Sequence, residues 1–143
     1  MTASEVEGSY RTPSFEKAQV GDAMHPGVVS CAGDTSLRTV ARIMAERHIH
    51  SVVVGDLGGE GSDWAVITDV DLLGAAEGDL DALTAGQAAG TELPTVGSAE
   101  TLRRAAQLMA EHGASHLIVV EAGRAVGVVS TLDVAGIIAW GRA

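Results

Sequence analysis

The sequence predicts a mixed α/β (α+β) fold of two like units, each β-α-β-β-α, packed as a pseudo-two-fold sandwich. Three observations predict it. The chain repeats itself: Val20 to Asp56 lies over Ala85 to Glu121, and after a change of register Trp64 to Asp71 lies over Val126 to Asp133. Each copy carries one segment with apolar residues at helical spacing. Each copy then carries two continuous apolar runs, the pattern of strands covered on both faces.

The elements follow in order. In the aligned halves Gly21, Ala23, Leu37, Arg38, Ala41, Met44, Ala45 and Glu46 recur as Gly86, Ala88, Leu102, Arg103, Ala106, Met109, Ala110 and Glu111. Short helices are expected over 17–24 and 82–89. A short strand opens each unit, at Gly27-Val28-Val29-Ser30 and at Leu93-Pro94-Thr95-Val96, where Pro94 marks an edge. Leu37, Val40, Ala41 and Met44, and again Leu102, Ala105, Ala106 and Met109, fall at i, i+3, i+4 and i+7, one helical face that leaves Arg38, Arg42, Arg103 and Arg104 outside it. Asp34, Thr35 and Ser36 offer N-cap oxygens to the first of these helices and Ser98 to the second. The strand pairs are 51–54 with 65–68, and 116–120 with 126–130. The Gly-rich stretch 58–63 takes up the additional residues of the first copy as a hairpin loop. Helices over 70–77 and 132–140 close the units. The expected division is a flexible tail over 1–16, a first repeat over 17–80 and a second over 81–143. A unit of about 60 residues buries too little surface to be stable alone, so the two sheets are expected to cover each other.

Composition narrows the function. The formal net charge is −10 and Lys17 is the only lysine, a poor match to nucleic-acid phosphates or an anionic membrane. Aromatics make up 3% of the residues, too few for a base-stacking platform. Cys31 is the single cysteine, so no intramolecular disulfide forms. Met1 to Ser14 has neither the basic nor the apolar region of a signal peptide, and no apolar run approaches the ~18 residues of a membrane span. A cytoplasmic protein with no nucleic-acid and no membrane partner is expected.

The residues that carry a family resemblance are Val20-Gly21-Asp22-Ala23-Met24, Gly33-Asp34-Thr35-Ser36-Leu37, Met44-Ala45-Glu46 with Met109-Ala110-Glu111, and Val66-Ile67-Thr68-Asp69-Val70-Asp71 with Val128-Val129-Ser130-Thr131-Leu132-Asp133. The chain resembles a tandem pair of cystathionine-beta-synthase-type (CBS) domains, a Bateman module of the short stand-alone bacterial type. The resemblance implies a regulatory, non-catalytic module that senses adenosine-containing ligands (AMP, ADP, ATP or S-adenosylmethionine) in the cleft between repeats. It needs no cofactor; the adenine nucleotide is the ligand. The family's hydroxyl-x-x-carboxylate motif falls on Thr68 with Asp71 and on Ser130 with Asp133. Each carboxylate would accept from the 2′ and 3′ hydroxyls of a ribose, charge-assisted bonds of about 1.5–3 kcal/mol each. The adenine would lie against the opening strands, at Val29, Ser30 and Thr95, and basic side chains at the helix-to-strand turn, His50 and His116, would approach phosphate. A homodimer and an unidentified effector protein are the partners implied. Against the family pattern, a proline of the second strand is replaced by Val53 and Ile118. A glycine before the third-strand apolar pair is kept as Gly127 but replaced by Ala65. These departures favour Ser130 and Asp133 as the better-kept site.

Other readings stand beside it. Ser/Thr-x-x-Asp is also the signature of a helix N-cap, which would give Thr68, Asp71, Ser130 and Asp133 a purely structural role. A ligand-free dimeric interaction scaffold is the alternative function, and a metal- or redox-responsive module using Cys31, His48 and His50 a weaker one. Val134, Ile137, Ile138 and Trp140 form an apolar stripe that serves either the core or a subunit interface. There is no Gly-x-Ser-x-Gly, and Gly58-Gly59-Glu60-Gly61 lacks the Lys-Ser/Thr of a phosphate-binding loop, so no enzyme is expected.

Overall fold

The computed structural model describes residues 12–55, 64–90 and 94–141. Among them are six helices and seven strands in two sheets. The hairpin loop expected over 58–63 and most of the expected tail lie outside the described residues. Contacts gather the chain into two compact units: a terminal unit, Met1–Gly27 with Leu93–Ala143, and a central unit, Val28–Glu92.

In the central unit, β2 (Ser30–Cys31) runs parallel to β3 (Ser51–Gly55), which pairs antiparallel with β4 (Trp64–Thr68). The parallel step needs a crossover, supplied by α2 (Leu37–Arg47). Ser36 caps that helix by accepting from Thr39 N, and Leu37, Val40 and Met44 turn inward as their spacing predicts. They pack with Val52, Val54 and Ile67 of the sheet and with Ala85 of α4 (Ala85–Ala88). α3 (Asp69–Ala75) closes the unit, starting one residue earlier and ending two earlier than the sequence pattern.

The terminal unit repeats this plan and adds to it. β5 (Thr95–Gly97) is parallel to β6 (His116–Glu121), and β6 is antiparallel to β7 (Arg124–Ser130). A two-residue β1 (His25–Pro26) then extends the sheet on the far side of β7, giving the order β1-β7-β6-β5. The crossover helix α5 (Leu102–His112) is capped by Thr101, not by Ser98; Ser98 instead donates to Glu121 Oε1, and its carbonyl accepts from Gly21 N. The core joins Leu102, Ala105 and Met109 to Leu117, Val119 and Val129 and to Val134 and Ile137 of α6 (Thr131–Trp140).

The units do not follow the order of the repeats. α1 (Val20–Ala23) opens the first repeat in sequence but packs in the terminal unit, and α4 opens the second repeat but packs in the central one. The backbone bonds that hold them are equivalent pair by pair. Val20 N donates to Glu100 O and Gly21 N to Ser98 O (both 2.8 Å), as Ala85 N does to Thr35 O and Gly86 N to Gly33 O (both 2.8 Å). Both helices are four residues long, shorter than the sequence pattern, and Val20 and Ala85 are fully buried. Residues just before α1, expected within a loose tail, are also packed: Ser14 is buried, its carbonyl accepts from Ala18 N, and Phe15 lies on the core with Arg103 over its ring.

Candidate functional site: two strand–helix junctions

Each unit has one point where its last strand gives way to its last helix, and there the motif residues converge. At the central junction Thr68, the N-cap of α3, accepts from Asp71 N through Oγ1 (3.3 Å). Asp71 Oδ2 in return accepts from Thr68 N (2.9 Å) and Thr68 Oγ1 (3.3 Å). At the terminal junction Ser130 Oγ accepts from Asp133 N (3.2 Å), while Asp133 Oδ2 accepts from Ser130 N (2.8 Å) and Ser130 Oγ (3.0 Å). Both are reciprocal capping boxes, which quench orphan N–H groups at the helix start and set a carboxylate against the positive end of the helix. The structural role weighed from sequence is therefore present in both copies. It uses one carboxylate oxygen, Oδ2, each time.

The junctions differ in what surrounds them. His25, projected from β1, brings Nε2 to 2.9 Å from Asp133 Oδ1; the imidazole is 77% exposed and the carboxylate only 12%. At the central junction His50 Nδ1 lies 2.9 Å from Asp69 Oδ2, and Asp69 N donates to His50 O. The second repeat places Ser115 and Thr131 at those two positions and keeps only the backbone bond, from Thr131 N to Ser115 O (2.9 Å). His116 starts β6 opposite Ser130 in the ladder, with Nδ1 3.3 Å from Ser115 Oγ. Of the two histidines expected to approach phosphate, His50 is thus committed to the carboxylate that begins α3. The histidine that reaches a motif carboxylate is His25, which the sequence pattern left aside. Its only signal there was its place just after the repeated opening Val20 to Met24.

Val29, Ser30 and Thr95 sit on the opening strands. Val29 O accepts from Val53 N, Ser30 is exposed opposite Val53, and Thr95 is exposed opposite Ile118. The order β2-β3-β4 puts Ser30 two strands from Thr68, and β5-β6-β7 puts Thr95 two strands from Ser130. The register sets Ser30 level with Val66 and Thr95 level with Val128, two residues short of Thr68 and Ser130, so at ~4.8 Å per strand and ~3.3 Å per residue each pair is about 12 Å apart. In place of the strands expected over 27–30 and 93–96, the strands are shifted toward the C-terminus and cover Ser30–Cys31 and Thr95–Gly97.

Cys31, in β2, is half-buried, and burial pushes its thiol up in pKa against the lowering effect of a hydrogen bond with Thr35. It forms no metal set with His48 and His50: among the described residues no group of three or more His, Cys, Asp or Glu side chains converges. An open apolar hollow of about 300 Å³ lies between α5 and the start of α6, lined by Ala106, Met109, Ala110, Val134 and their neighbours, and it excludes Ser130 and Asp133. The apolar stripe of α6 is split. Val134 and Ile137 are core, whereas Ile138 and Trp140 are exposed along with Leu132. No described helix is long and apolar enough to cross a membrane.

The model of the CBS domain matches twice, over residues 20–78 and 85–139. The chain belongs to the CBS domain family. Solved structures agree in fold. The CBS domain pair of protein MJ0100 in complex with 5′-methylthioadenosine and S-adenosyl-L-methionine is 21% identical with a TM-score of 0.71, covering 84% of this chain and 98% of that one. CBSX2 in complex with AMP is 22% identical with a TM-score of 0.69, covering 83% and 94%. The hexameric CBS-CP12 protein from bloom-forming cyanobacteria is 18% identical with a TM-score of 0.71, covering 82% of this chain but 66% of that one. A search of curated proteins finds no match. The tandem CBS pair expected from the duplicated motifs is thereby shown.

Proposed function

We propose that this CBS pair is a regulatory, non-catalytic sensor of adenosine-containing nucleotides, with Asp133 and Ser130, and Asp71 and Thr68, at its ribose-binding positions. The observation that carries the reading is the duplicated carboxylate. Two strand–helix junctions hold an Asp in the same reciprocal bond pattern, through Oδ2 each time. A carboxylate fixed in this way needs no further ordering when it accepts a sugar hydroxyl. Ser30 and Thr95, about 12 Å away across their sheets, would bound the space an adenine takes, with Val29 beside it. That CBS pairs of the same fold have been solved with AMP and with S-adenosyl-L-methionine supports this ligand class.

The working form proposed is a cytoplasmic homodimer that passes its ligand state to an effector protein. Its support is the exposed apolar surface of the closing helices: Leu132, Ile138 and Trp140 on α6, Val70 and Leu73 on α3. The same surface would serve a ligand-free scaffold, and ligand binding separates the two readings. The test is a thermal shift with AMP, ATP and S-adenosylmethionine. A ligand at 100 times its dissociation constant stabilises by ~2.7 kcal/mol, which for a chain of this size raises the melting temperature by roughly 5–10 °C. No shift with any of the three at millimolar concentration contradicts the proposal and leaves the scaffold.

A further inference from the structure

We propose that His25 is a displaceable mask over the Asp133 carboxylate, so that ligand binding at the terminal junction requires the imidazole to swing away. This rests on the ribose-binding reading of Asp133. One oxygen of that carboxylate, Oδ2, is committed to the capping box through Ser130 N and Oγ. The other, Oδ1, is the acceptor a ribose hydroxyl must reach, and His25 Nε2 stands 2.9 Å from it. The partners differ in freedom. Asp133 is held by the helix start and 12% exposed, whereas the imidazole is 77% exposed and turns on two side-chain bonds.

The backbone that carries His25 is fixed. Residues 25 and 26 pair with Val128 and Gly127, and Gly27 N donates to Val126 O (2.7 Å). Uncovering Asp133 therefore asks only for a rotamer change, with no opening of the sheet. Gly90 stands at the place equivalent to His25 in the second repeat and has no side chain with which to do the same. The mask makes a vicinal diol exchange one hydrogen bond to a carboxylate for another. It raises the ligand concentration at which this junction fills by about tenfold, the value of one such bond.

The test is calorimetric titration of the full chain with AMP, ATP and S-adenosylmethionine, and with 2′,3′-dideoxyadenosine as the probe that lacks the diol. His25→Ala is expected to tighten binding of a diol-bearing ligand about tenfold, or to reveal binding where the parent shows none. It should leave 2′,3′-dideoxyadenosine unchanged, and the gain should vanish in His25→Ala/Asp133→Asn. Binding by the parent that His25→Ala leaves equal or weaker overturns the mask while the nucleotide reading stands. Absence of binding by both parent and His25→Ala overturns the nucleotide reading and the mask with it.

Discussion

His48 ends α2 with φ 54 and ψ 46, in the left-handed region, and its N–H donates to Met44 O. The equivalent helix α5 ends at Gly113 with φ 61. A side chain in that region crowds the backbone carbonyl at a cost of roughly 1–2 kcal/mol, which glycine avoids. His48→Gly is therefore expected to stabilise the protein by about 0.5–1 kcal/mol in urea denaturation, less than the full strain because glycine also frees the unfolded chain. A loss of stability would mean that the imidazole of His48 makes a contact worth more than the strain it brings. At this scale the motif carboxylates were legible in the sequence, since Ser/Thr-x-x-Asp at two equivalent places puts both at helix starts. His25 was not, because its partner Asp133 lies more than a hundred positions away and no periodicity links them.

β1 shows what a two-residue element depends on. It pairs with β7 only because Gly127 lets it approach: a Cβ there would come within 2.6 Å of His25 O and 3.1 Å of Met24 Sδ. Gly127→Ala is expected to cost about 1–3 kcal/mol, the usual range for overpacking. It should also speed hydrogen exchange at the Gly27 amide, whose bond to Val126 O closes this edge. Unchanged exchange at Gly27 would show that β1 is not held by this approach. Longer elements were readable beforehand for clear reasons. Val52 to Val54 and Leu117 to Val119 are buried runs in central strands, and the i, i+3, i+7 residues of α2 and α5 line the two cores. The opening strands start two or three residues later than their apolar runs suggest, because runs this short carry little pattern. Ser98 and Thr101 are both hydroxyl residues near the start of α5, and pattern alone does not show that Thr101 is the cap.

For the molecule as a whole, the exchange of opening helices is the feature a linear reading of repeats misses. Sequence similarity counts α1 with the first repeat and α4 with the second, but burial of Val20 and Ala85 assigns each to the other unit's core. The outward apolar residues of α3 and α6 belong to this scale as well. If they form the subunit contact, Ile138→Glu with Leu132→Glu should shift the protein from dimer to folded monomer in sedimentation velocity, since a charge buried in an apolar interface is strongly disfavoured. A parent that sediments as a monomer, or a double variant that stays dimeric, contradicts that interface. The sensing function and the His25 mask both depend on the carboxylates being ligand groups as well as helix caps. Asn at 71 and 133 keeps an oxygen for the capping box and removes the charge, so the fold is retained while the ribose loses its acceptors. The most direct test is a thermal-shift titration with AMP, ATP and S-adenosylmethionine of the Asp71→Asn/Asp133→Asn variant beside the parent. A ligand-induced shift is expected in the parent and is lost in the variant. An equal shift in both would contradict it.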